Sequence, residues 1–84
     1  MKNLLEKKRR EIDGLDARLA GLLVRRLRLA GSLKSLKEKV RDPEREAEVL
    51  AGVSANAKDR KLVPALLAVY REIIRQSRGL QEKK

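Results

Sequence analysis

The 84-residue chain has no cysteine, histidine, tryptophan or phenylalanine, and its one aromatic residue is Tyr70. Each absence removes a class of chemistry. Without Cys and His there is no Cys/His zinc site, no thiol nucleophile and no imidazole base. No metal-ligating set is expected from the residues that remain. No disulfide can form, which is compatible with the cytosol. The near-absence of aromatics leaves a nucleic-acid reader nothing on which to stack bases. Long apolar runs are missing as well, so no segment is expected to span a membrane. The first residues, Met1 to Arg10, are densely charged and lack the apolar stretch of a signal peptide. These features together give the expectation of a cytoplasmic protein.

Charge and aliphatic side chains are abundant instead. Charged residues make up 40% of the chain and the formal net charge is +10. That excess draws anionic partners by long-range attraction, whether nucleic acid, an acidic membrane surface or a small polyanionic metabolite. The hydrophobic fraction, 42%, is almost entirely Leu, Ala, Val and Ile. A core of this kind depends on aliphatic packing between helices. The length suits one small domain covering residues 1–84.

The hydrophobic pattern predicts three helices. From Asn3 to Val40 there is no proline, and Leu5, Ile12, Leu19, Leu33 and Val40 recur on a seven-residue row. Leu15, Leu22, Leu29 and Leu36 form the second row of the same repeat. This spacing predicts one long helix over about 3–40 that packs along its whole length. Gly14, Gly21 and Gly31 interrupt it, as sites of close helix approach or as tolerated weak points. Asp42-Pro43 then reads as an N-cap and first helical residue, opening a short helix over about 43–55. Asn56 to Lys61 reads as a loop. A third helix follows over about 62–81, with Leu66, Leu67, Tyr70, Ile73, Ile74 and Leu80 on its apolar side and no side-chain cap visible near Val63-Pro64. A first helix this long outruns its two partners and would leave apolar surface wet, so a homodimer is expected.

Polar residues fall inside these apolar rows. Arg26 occupies the seven-residue row between Leu19 and Leu33. Alone it reads as a register-setting residue or an arginine that snorkels outward. Lys37 lies at nearly the same angle about three turns on. Ser77 interrupts the stripe of the third helix, and Gln81 is one turn further on the same face. In the second helix Glu46 precedes Val49 and Leu50 by one turn, with Arg45 beside it. An i,i+4 surface pair, such as Glu44 or Arg45 with Glu48, is the simpler account of those charges. Taken together, the groups offer cations, a carboxylate, a hydroxyl and an amide, but no nucleophile paired with a base. Such a set suits binding of a dicarboxylate and a reaction driven by electrostatic positioning.

These residues resemble the all-helical class of chorismate mutases over essentially the full chain. The resemblance rests on Arg9-x-x-Ile12-Asp13-x-x-Asp16-x-x-Leu19-x-x-Leu22-Leu23-x-x-Arg26, on Arg41-Asp42-Pro43-Glu44-Arg45-Glu46 and on Ile73-Ile74-x-x-Ser77-x-x-x-Gln81. It implies an all-α fold, three helices per chain in an intertwined homodimeric bundle. It implies the Claisen rearrangement of chorismate to prephenate, toward Phe and Tyr, without a cofactor. It also implies a site of Arg9, Arg26, Lys37, Asp42, Arg45, Glu46, Ser77 and Gln81. In that site Arg26 with Ser77 takes one carboxylate, and Arg9 with Lys37 takes the other. Lys37 and Gln81 donate to the ether oxygen. Glu46 and the backbone near Asp42 take the ring hydroxyl, supported by Arg45. Arg9 and Arg26 are separated by about 25 Å along one helix, so Arg9 must come from the other subunit if both touch one ligand. Two alternatives use the same features. One is an isochorismate pyruvate lyase of this fold. The other is a basic helical nucleic-acid-binding protein, favoured by the run Lys7-Lys8-Arg9-Arg10.

Overall fold

The computed structural model describes residues 2–36 and 42–82; Lys37, Val40 and Arg41 lie outside the described residues. Among these there are three α-helices and no strand: α1 is Lys2–Ser32, α2 is Pro43–Asn56 and α3 is Val63–Glu82. Local chemistry accounts for each boundary.

The sequence predicts an unbroken first helix to Val40, but the α-helical geometry of α1 stops at Ser32. It tightens there into a 3-10 turn, Leu33–Ser35. Hydroxyls take over carbonyls at this end. Ser32 Oγ donates to the Leu29 carbonyl at 2.6 Å and Ser35 Oγ to the Ser32 carbonyl at 3.3 Å. Such back-bonding competes with the next helical turn, and Gly31 beside it lowers the cost of leaving the helix. The start of α2 follows the Asp-Pro pair. Asp42 Oδ1 accepts from the Arg45 amide at 3.1 Å, Pro43 opens the helix, and Glu44 and Glu46 sit in the first turn, where the dipole favours them. Between α2 and α3 the expected loop is shorter than its polar sequence indicates. A 3-10 turn, Arg60–Leu62, leads directly into α3. Its cap is Asp59, which accepts from the Lys61 amide at 3.0 Å, one turn upstream of where a cap for α3 itself would stand.

The helices lie in a single layer. The described shape measures 55 × 28 × 14 Å, and the last figure is little more than one helix with its side chains. In this layer α3 packs against both α1 and α2, which do not pack on one another among the described residues. A layer one helix thick has almost no interior. Among the described residues only Ile74, Ser77 and Gln81 are buried, and no side chain is wholly enclosed. The chain exposes 7361 Å², against about 5,000 Å² for a compact monomer of its mass.

The long apolar seam is the main source of that excess. Every described residue of α1 from Asn3 to Leu22 is exposed, including Leu5, Ile12, Leu15, Leu19 and Leu22, at 50–60% each. The face of α1 that meets α3 adjoins the seam and shares Arg26 with it, carrying Leu23, Leu27, Ala30 and Gly31 besides. Gly31 is the one glycine of α1 at a close approach: a Cβ there would stand 3.7 Å from Leu80 Cβ, whereas Gly14 and Gly21 face open space.

Candidate active site

Because α1 and α2 flank α3 without touching, a cleft opens between them. Its floor is α3, its walls are the C-terminal end of α1 and the N-terminal end of α2, and its volume is about 330 Å³. Ile74, Ser77, Arg78 and Gln81 line the floor; Arg26, Leu29 and Ala30 line one wall; Asp42, Arg45, Glu46 and Val49 line the other.

Two hydrogen bonds between α1 and α3 set the polar groups, each joining residues 51 apart in sequence. Arg26 Nη1 donates to Ser77 Oγ at 3.1 Å, and Ser77 Oγ donates in turn to the Ile73 carbonyl at 2.8 Å. The hydroxyl is therefore oriented, with its lone pairs turned to the guanidinium. From another side the ring of Tyr70 lies 5.9 Å from the Arg26 Cζ, close enough for a cation–π contact. Arg26 is thus held between a hydroxyl and an aromatic face. Gln81 Nε2 donates to the Ala30 carbonyl at 2.9 Å. Ala30 is in the last turn of α1, where carbonyls have no helical partner, so the side chain satisfies a group that the early end of α1 creates.

On the second wall the simpler reading of Arg45 holds, and the partner of Glu46 is the unexpected feature. Arg45 is turned outward, its Nη1 3.3 Å from Glu48 Oε1 in an exposed pair. Glu46 is paired instead with Arg78, whose Nε lies 3.2 Å from Glu46 Oε2. Both side chains are mostly shielded, at 27% and 21% exposure. The Nε atom of Arg78 is buried and makes no hydrogen bond, so this contact is an ion pair off the hydrogen-bonding direction.

Of the eight residues singled out from sequence, the cleft gathers six: Arg26, Asp42, Arg45, Glu46, Ser77 and Gln81. Lys37 lies outside the described residues. Arg9 is exposed in the first third of α1 and is not in the cleft. Arg78 was not anticipated. Its signal was available in the spacing, since it stands one turn after the buried Ile74 on the same face of α3. No group of acidic residues among the described ones could hold a metal ion.

Three arginines line the described cleft, Arg26, Arg78 and the outward-paired Arg45, beside the two carboxylates Asp42 and Glu46. The cleft can bind an anion, fix its orientation and donate hydrogen bonds, but it presents no nucleophile beside a base. Among curated proteins and among solved structures, no significant match to the chain is found. The family model for chorismate mutase type II matches residues 8–82, a stretch that holds α2, α3, α1 from its second turn onward and every residue of the cleft. The chain belongs to the chorismate mutase type II family and is an enzyme of that kind.

Proposed function

We propose that the cleft binds chorismate between two copies of the chain and rearranges it to prephenate by positioning and charge stabilisation alone. The observation that carries this reading is Arg26, fixed by the oriented Ser77 hydroxyl at the edge of a cleft without a nucleophile–base pair. The rearrangement breaks a C–O bond and forms a C–C bond within one molecule, so it needs no external acid, base or cofactor. It needs the substrate folded with its reacting carbons in contact, and donors at the ether oxygen as negative charge grows there.

Arg26 and Ser77 hold one carboxylate. Lys37 and Gln81 donate to the ether oxygen. The ring hydroxyl is taken by Glu46 and the backbone at Asp42. The second carboxylate needs a cation that the described cleft does not supply, since Arg45 is paired with Glu48 and Arg78 with Glu46. Arg9 of the partner subunit, with Lys37, fills this role. A homodimer is supported by the bare seam of α1 and by the surface in excess of a compact monomer, roughly 2,000 Å² per chain. Interfaces of permanent dimers bury that much or more. Intertwining two such layers gives the second layer that one chain lacks.

The test is loss of chorismate absorbance with the purified chain, and with Arg26→Ala. Chromatography of the products identifies prephenate; pyruvate from isochorismate would identify the lyase chemistry instead. A wild-type chain that leaves chorismate unchanged sinks this reading.

A further inference from the structure

Arg45 and Arg78 are the arginines of the cleft that the proposed substrate contacts leave without a task, and of the two only Arg78 is largely shielded. Two other ion pairs among the described residues, Arg45–Glu48 and Arg75–Glu72, each join neighbours on one helix and stand mostly in water. The Arg78–Glu46 pair joins α3 to α2 across the cleft and is largely shielded.

Glu46 needs such a partner. Its carboxylate lines a cleft meant for a dianion, and an unpaired negative charge there would repel the ligand it serves. It must also present one oxygen, in one direction, to a hydroxyl. Arg78 meets both requirements. Its guanidinium offsets the charge and stands at Oε2, 3.2 Å away, so the ion pair does not occupy Oε1. The fit is loose, since the buried Nε–H misses the oxygen. Catalytic contacts in unliganded sites are often off-line and tighten on binding.

We propose that Arg78 is a positioning residue: it neutralises and aims Glu46 so that the remaining carboxylate oxygen accepts the ring hydroxyl of the substrate. The inference rests on the reading that Glu46 takes that hydroxyl. It does not place Arg78 on the substrate itself.

Steady-state kinetics with chorismate on Arg78→Met, Arg78→Lys, Glu46→Gln and the Glu46→Gln/Arg78→Met double variant test this, with thermal melts to confirm folding. The methionine keeps much of the arginine's length without its charge. It should lower kcat by about tenfold to a hundredfold, with KM within about threefold of wild type. Lysine, which can still stand beside Oε2, should recover most of the loss. In the Glu46→Gln background there is no charge to aim, and adding Arg78→Met should cost less than about twofold. An equal loss in both backgrounds would mean that Arg78 acts apart from Glu46, and a loss confined to KM would place it on the substrate; either overturns the proposal while the mutase reading stands. A fully active Glu46→Gln chain would overturn the reading of Glu46 and this inference with it. Should Arg78→Met fail to fold, Arg78→Lys and Arg78→Gln carry the same comparison.

Discussion

Arg9→Ala and Arg26→Ala, each nearly inactive alone, should regain activity when mixed. The reasoning starts from helix geometry. Seventeen residues of α1 separate the two arginines, about 25 Å of axis at 1.5 Å per residue, and Arg9 is absent from the cleft that Arg26 lines. No single small molecule bridges that span, so a site using both takes Arg9 from the partner. Arg26→Ala removes a guanidinium held by Ser77 and faced by Tyr70. Two charge-assisted bonds to a carboxylate amount to about 3 kcal/mol or more, over a hundredfold in rate. In a mixed dimer, one site combines the intact Arg26 of one chain with the intact Arg9 of the other, and the second site lacks both. Random exchange makes about half of the dimers mixed, so an equal mixture should recover about one quarter of wild-type activity. The assay is chorismate consumption before and after exchange, with mixed dimers counted by native mass spectrometry. If mixed dimers form and activity stays at the level of the separate variants, Arg9 does not act across a dimer.

Three further outcomes follow from the same geometry. Ser77→Ala deletes the acceptor of the Arg26 bond from a residue only 7% exposed; KM should rise by at least about tenfold with little change in melting temperature. A lowered melting temperature at unchanged KM would instead make Ser77 a purely structural residue. Leu15→Glu puts a charge on the bare seam of α1, and sedimentation should then show a monomer with little activity. A chain of unchanged size and rate would exclude this face from the interface. Glu72 has its carboxyl lowered to about 2 by hydrogen bonds from Arg75 and then Gln76. A depressed carboxylate stabilises the fold above its ordinary range and loses that contribution as pH falls toward 2. The melting-temperature gap between wild type and Glu72→Gln, small because the pair is exposed, should therefore close on acidification and shrink with salt. A gap that widens in acid would contradict the pairing.

The features legible in sequence are those set by near neighbours. Periodicity located three helices, and the Asp42-Pro43 pair marked where α2 begins, because caps and helical faces involve residues within one turn of each other. The early stop of α1 was less visible. It turns on Ser32 and Ser35 bonding backward and on Gln81, 51 residues away, accepting the task of satisfying Ala30. Their places inside apolar rows singled out Arg26, Ser77 and Gln81, but only tertiary packing brought them to one cleft. Periodicity fixes angles about each helix axis, not which side of one helix meets another. For that reason the seam of α1 looked like its packing face, whereas α3 takes the adjoining face through Leu23, Leu27 and Gly31. Packing also decided the partner of Glu46. Sequence placed Arg45 beside it on the same helix; the fold turned Arg45 to Glu48 and brought Arg78 across from α3. Residue types and their order determined that this chain is helical, cationic and without nucleophilic chemistry. The contact of α3 with both neighbours, which do not touch each other, decided that a cleft exists and which charges face into it.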